Sequence, residues 1–388
     1  MAEHLRALAL AEQMTAWRHA FHADPELGFD EHRTAARVAE LLSGFGLEVH
    51  TGIGGTGVVG VLQRGYGGGS IGLRADMDAL PITEVTGLPY ASQNQGVMHA
   101  CGHDGHMAML LGAASTLAQD GRFNGRIVFI FQPNEENGKG AEAMLADGLF
   151  KRFDVDQVYG LHNIPGMALG AFATRVGPIT ASESLFSIAI AARGGHAALP
   201  HMGVDAITVG AEMVGALQTI VSRKLDPSVN GVVSVTEFVT DGRRNVLPGT
   251  ALLSGDARAL TPDLTKQIAS RMRQIAKGIA IAHEVEANVT FDTIFPPSIN
   301  APAPVAQAYA AATLTARPGQ VDGSCAPKLF SEDFAHLAAA REGCFILMGN
   351  GTEGQNGSPL HANNYDFADA ALPIGASYWV NLVERCLT

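Results

Sequence analysis

Up to about residue 180 the chain alternates strands with helices, and this alternation constrains the fold more than any other feature of the sequence. VVGVLQR, IGLRADM and GRIVFIFQP are apolar runs bounded by glycine-rich turns, and HMAMLLGAASTLA, apolar at helical spacing, lies between the last two. LEVH reads as a further short strand, and EHRTAARVAELLSGFG as a helix stopped by Gly44 and Gly46. Strands that alternate with helices form a largely parallel sheet, whose apolar strands must be covered on both faces. The N-terminal segment MAEHLRALALAEQMTAWRHAFH also has helical spacing and lacks the apolar core of a signal peptide, so no export is expected.

Near residue 180 the texture changes. LFSIAIAARG is an alternating strand, GVDAITVGAEMVGALQTIVSR a long helix, GVVSVTEFVT and ALLSGDARAL two strands, LTKQIASRMRQIAKGIAIAHEV a helix and ANVTFDTI a strand. Strand, helix, strand, strand, helix, strand is the split pattern of a ferredoxin-like α+β domain. Its terminal strands lie close together, which suits insertion into another domain. The expected organisation is a main α/β domain in two parts, 1–180 and 294–388, with the insert at 181–293. The last stretch ends on a helix, ALPIGASYWVNLVERCL, and completes the first domain's sheet.

Charge and cysteine content narrow the function classes. A formal net charge of -12, spread without long acidic or basic runs, argues against nucleic acid or anionic lipid as partner. The longest apolar stretch, Met107 to Ala118, is well short of the roughly 20 residues of a membrane span, so a cytoplasmic protein is expected. Cys101, Cys325, Cys344 and Cys386 are too few for a disulfide scaffold.

Two motifs mislead. GIGGTG, Gly52 to Gly57, matches a dinucleotide fingerprint, but a strand follows where a helix is needed, so it reads as a tight turn. GGSIG, Gly68 to Gly72, matches a nucleophile elbow, yet here too a strand comes after, and Ser70 is not expected to be catalytic.

HACGHDGHMA, residues 99–108, is different. Cys101 and His103 stand two apart, so they share a side only in an extended loop, and a helix must start after them if they share a ligand. Asp104 is a suitable N-cap for that helix. A thiolate and an imidazole at a helix N-terminus suit a borderline metal such as zinc. Taken alone, the segment is equally a capped helix with histidines near the surface.

Other features fall where strands end. FQPNEE carries Glu135 and Glu136 off the strand RIVFIF, RADMD brings Asp76 and Asp78 to the end of another, and YGLHN brings His162 to a third. SPLHANNYDF adds His361 in a polar loop. Open parallel sheets bind ligands along this edge. Neighbouring glutamates can divide the work, one on a metal and the other taking a proton from the attacking water. Cys101, His103, Glu136, His162 and His361 are too many ligands for one tetrahedral site with an open position, and two metal ions about 3.5 to 4 Å apart, sharing one ligand, fit better.

RADMDALPI, HACGHDGHMA, FQPNEE, GLHN, GGHAALPH, RRNVLP, SEDF and SPLHANNYDF, in this order, resemble the aminoacylase, hippurate hydrolase and auxin-conjugate amidohydrolase family of dinuclear metallopeptidases. The resemblance covers nearly the whole chain. It implies a zinc-exopeptidase-like catalytic domain with an inserted lid domain that mediates assembly into a homodimer or homotetramer. It makes Cys101, His103, Glu136, His162 and His361 ligands of two divalent ions, zinc, manganese, cobalt or nickel, with Cys101 as the bridge. Glu135 becomes the general base. His196 in RGGHAALPH would donate to the oxyanion, in its own subunit or across a dimer interface. Asn245 in RRNVLP and Arg258 in GDARAL would hold the substrate's backbone and carboxylate, an arginine fork being suited to a planar carboxylate. Asp78 and Asp104 would support the ligands from behind. Asn134 and Ala362 depart from the family's commoner residues without touching a ligand.

The implied activity is hydrolysis of the N-acyl bond of a small N-acyl amino acid, hippurate or an N-acetyl amino acid being typical. An auxin-conjugate hydrolase or a dipeptidase is the near alternative. A cysteine hydrolase built on Cys101 fails on geometry, since a histidine two residues away is poorly placed for a triad. A metal-bound amino-acid or peptide binding protein would explain the ligands but leave Glu135 idle.

Overall fold

The structure, a computed structural model, describes residues 6–388, so the first five residues of the predicted N-terminal helix lie outside the described residues. Two compact units emerge. One runs to Ile179 and takes up again at Ser298–Ala326 and Asp333–Thr388; the other comprises Thr180–Pro297 with Pro327–Glu332.

The first unit is built on an eight-stranded sheet. Its central strands, Gly125–Gln132, Ser70–Asp76, Gln157–Pro165 and Glu342–Gly351, run parallel. Every residue of Ser70–Asp76 is buried, so both faces of the sheet are covered. That is why these strands read as unbroken apolar runs rather than as alternating ones. Antiparallel strands flank them, Glu48–Ile53 pairing with Gly57–Arg64 across the Gly52 to Gly57 turn. GIGGTG is thus a hairpin connection. Ser70, at the start of its strand, gives its hydroxyl to the Asp154 carbonyl at 3.1 Å and is a structural residue.

The helix His103–Asp120 is apolar nearly all round, as a helix enclosed by protein must be. It packs between Ala11–Ala23 and the C-terminal helix Leu372–Cys386. Its start corrects the expectation for Asp104. Gly102 is the N-cap, His103 is already helical, and no side chain caps the helix. The Asp104 carboxylate is taken instead by His22 Nδ1 at 2.9 Å and Arg18 Nη1 at 3.3 Å.

The second unit has a four-stranded antiparallel sheet with Ser182–Ala191 and Thr250–Ala259 in the middle and Gly231–Thr240 and Glu286–Phe295 at the edges. With helices Ala206–Thr219 and Pro262–Ala282 this is the ferredoxin-like order. Phe186, Ile188 and Ile190 face the helices and are buried, while Leu185, Ala189 and Ala191 on the other face are exposed. The helix Pro262–Ala282 starts on a well-formed cap, Thr261 Oγ1 accepting from Leu264 N–H at 3.2 Å with Pro262 in the first turn. Among the described residues no helix is long and apolar enough to cross a membrane.

Candidate metal centre

The carboxyl ends of the central strands bring six side chains together. Atoms of Cys101, Glu136 and His361 lie within 4.8 Å of one another, and so do atoms of His103, Glu135 and Glu136. His162 joins them through Nε2, which is 3.4 Å from Cys101 Sγ. Gly102 makes the arrangement possible. Its φ of 92° turns the chain sharply between Cys101 and His103, so the thiol before the helix and the imidazole in its first turn converge. A β-carbon there would also stand 2.5 Å from Asn163 Oδ1 and 2.7 Å from Tyr365 Oη. His361 reaches the cluster from a loop at φ 65°, its N–H donating to the Ala100 carbonyl at 2.8 Å and its Nε2 3.4 Å from Glu136 Oε2. Half of the His361 side chain is exposed, which makes it the open side of an otherwise buried cluster.

Hydrogen bonds behind the cluster set the tautomers. His103 Nδ1–H donates to the Asp78 carbonyl at 2.8 Å, and His162 Nδ1–H to the Asn163 carbonyl at 2.7 Å. Each ring then presents Nε2 forward, the geometry of a histidine metal ligand with its second nitrogen anchored. Asp78 also accepts the Glu136 N–H at 3.0 Å, so one residue orients two members of the cluster. His103 Nε2 and Glu136 Oε1 are buried with no hydrogen-bond partner in the protein. A donor set of thiol, imidazoles and carboxylates with such orphaned inward atoms fits a divalent cation.

Electrostatics agree. Burial, with Glu136 and Glu135 beside it, pushes the Cys101 thiol well above its usual range. Burial would lower the His103 imidazole, but Asp76, Asp78 and Glu136 raise it to about 10. Burial and His106 hold His162 well below its usual range. Excess negative charge therefore surrounds Cys101 and His103, and a cation would relieve it.

Sequence reasoning missed a supporting layer. His106 Nδ1 is 2.6 Å from Asp76 Oδ1, and Arg74 Nη1 holds the other Asp76 oxygen at 2.7 Å while Arg74 Nη2 reaches Asp333 at 3.0 Å. The signal was present: His106 follows His103 by one helical turn, so both face the same way.

His196, Asn245 and Arg258 all belong to the second unit. His196 is exposed in a two-residue ladder, opposite Val246, and its Nδ1 accepts the Ala198 N–H at 3.1 Å. A neutral His196 therefore carries its proton on Nε2. Asn245 is exposed beside it, its carbonyl accepting the Ala197 N–H at 3.0 Å. The Arg258 guanidinium is already engaged, with Asp256 at 2.8 Å, Glu183 at 3.0 Å and the Leu329 carbonyl at 3.0 Å. These contacts engage each of its three nitrogens without using all five N–H donors.

A parallel sheet whose carboxyl edge gathers buried thiol, imidazole and paired carboxylates fits a hydrolase that binds a metal ion. The chain belongs to the peptidase family M20/M25/M40, whose model matches residues 72–385. It is 40% identical to the hippurate hydrolase of Campylobacter jejuni over 95% of each chain. It is 42% identical to the N-acyl-L-amino acid amidohydrolase of Geobacillus stearothermophilus over 74% of this chain and 77% of that one. Among solved structures, a dinuclear metal binding peptidase of the M20 family from Bacillus subtilis superposes with a TM-score of 0.84 at 30% identity, covering 98% of this chain and 99% of that one. The resemblance read from the motifs and the hydrolase class are thereby established.

Proposed function

We propose that the protein hydrolyses the N-acyl bond of small N-acyl amino acids, of the hippurate or N-acetyl amino acid kind, and that Cys101, His103, Glu136, His162 and His361 would hold two divalent ions. The observation that carries this reading is the glutamate pair itself, both members of which bring a carboxylate oxygen within 4.8 Å of His103; we read it as a division of labour. Glu136 presents an unpartnered oxygen to the cluster, while Glu135 adjoins it from the next position, 5% exposed. Ions bound there would acidify water and polarise the scissile carbonyl. Glu135 takes the proton of the attacking water and returns it to the leaving amine. His196, protonated on Nε2, donates to the developing oxyanion. Asn245 and Arg258 hold the backbone and carboxylate on the amine side, and assembly through the inserted domain gives a homodimer or homotetramer. The relatives named hippurate hydrolase and N-acyl-L-amino acid amidohydrolase support this substrate class.

Benzoylglycine and benzoylglycinamide test it as a matched pair. Loss of a hydrogen bond to a charged group costs about 1.5–3 kcal/mol, roughly tenfold or more in kcat/KM. The acid should be cleaved that much faster than the amide, a chelator should abolish both rates, and Arg258→Ala should remove most of the preference. Equal rates on the wild type would take away the carboxylate role of Arg258, and chelator-resistant turnover would overturn the metal reading.

A further inference from the structure

Glu135 follows a residue whose backbone is left-handed. Asn134 has φ 47°, a region where crowding at the β-carbon leaves asparagine among the few comfortable non-glycine residues. The strand ends at Gln132, so the conformation at Asn134 sets how the chain leaves the sheet and where the Glu135 carboxylate is carried.

The Asn134 carbonyl accepts from the Lys139 and Gly140 N–H groups at 3.3 and 3.1 Å, and three further residues hold the conformation. The Asn134 N–H donates to Glu31 Oε1 at 2.8 Å, and Glu31, fully buried at the start of the helix His32–Gly44, accepts from Thr56 Oγ1 through its other oxygen at 2.5 Å. Asn134 Oδ1 accepts from Asn137 Nδ2 at 2.6 Å. The third is Gly28. It lies in a turn closed by the Asp30 N–H on the Leu27 carbonyl at 2.9 Å, and in that turn it is Phe29, at φ 67°, that takes the left-handed conformation. Backbone freedom therefore does not explain a glycine at 28. Space does: a β-carbon there would lie 1.8 Å from Asn134 Oδ1, 2.5 Å from its Cγ and 2.9 Å from its Cβ. The Asn134 side chain is short, 3% exposed and tied to Asn137, so it has nowhere to go.

We infer that Gly28, Glu31 and the backbone of Asn134 form a lock that fixes the pose of Glu135, the Asn134 side chain being only what leaves no room for a β-carbon at 28; these positioning groups touch no substrate, and the inference rests on the reading of Glu135 as the base. Misplacing a catalytic group by an ångström can cost about 10²-fold in rate.

The test uses the full chain loaded with zinc, benzoylglycine as substrate, and four variants: Gly28→Ala, Asn134→Gly, the two combined, and Glu135→Gln. Gly28→Ala should lower kcat by about tenfold or more, with KM and bound metal unchanged. Asn134→Gly accepts positive φ and keeps its N–H for Glu31, so it should stay within about threefold of wild type. The double variant should match Asn134→Gly, because the atoms struck by the new methyl are gone. That rescue also decides the matter if Gly28→Ala alone is too unstable to assay. A Gly28→Ala enzyme at wild-type rate, a double variant no better than Gly28→Ala, or activity lost in step with metal would overturn the lock. Glu135→Gln separates the two claims: wild-type turnover there sinks the base assignment, whereas a dead Glu135→Gln beside a fully active Gly28→Ala sinks the lock alone.

Discussion

Cys101 and His103 carry protons that a cation bound by them would have to displace. Burial and the neighbouring glutamates keep the thiol protonated at neutral pH, and His103, at about 10, is charged there as well. Ligands that must be deprotonated make metal affinity rise with pH and make binding release protons. Zinc titrations by calorimetry in buffers of different ionisation enthalpy should show that release, with affinity falling as the pH is lowered from about 8 to 6. Binding without proton release would mean that neither residue is displaced from its protonated form. At this scale residue type and position along the chain were enough to group Cys101, His103, Glu136, His162 and His361, and the structure brings those side chains together. Asp104 was misread. A capping role depends on which backbone N–H the carboxylate meets, whereas here two side chains from another helix reach it first.

Those two side chains, Arg18 and His22, tie elements together. Arg18 is fully buried on the helix Ala11–Ala23 and binds Asp104 at 3.3 Å, Asp366 at 3.0 Å and Asp369 at 2.6 Å. It thus joins the helix that begins at His103 to the loop that follows His361. His22 sits beside it between Asp104 and Glu84. Burial would lower the His22 imidazole, but Asp104 and Glu84 hold it up at about 9. An unfolded histidine titrates near 6.5, so the stabilisation from charged His22 is complete below about pH 6.5 and is lost as the pH rises through about 9. His22→Gln should therefore destabilise most at low pH, and its stability gap from wild type should narrow by up to about 3 kcal/mol between about pH 6 and 10 in urea unfolding. A gap that does not change with pH would show His22 neutral in the native state. Helices and strands were legible from periodicity, but this ionic cluster was not. A charged residue within a helical pattern reads as a solvated one, and the partners of Arg18 lie far away in the chain.

For the molecule as a whole, the order of elements was enough to anticipate a parallel α/β sheet and a ferredoxin-like insert, since each follows from alternation along the chain. The segment Pro327–Glu332 was not anticipated in the second unit: it is too short to show a period, and only contacts assign it. The functional account turns on one claim, that a metal cluster and a separate glutamate base share the work. Metal analysis and single-turnover kinetics of Glu135→Gln with benzoylglycine test it together. The account predicts that this variant keeps the wild-type complement of up to two divalent ions per chain while turnover falls by about 10²- to 10⁴-fold, the range for a lost general base. Loss of metal in proportion to activity, or turnover unchanged with metal in place, would contradict it.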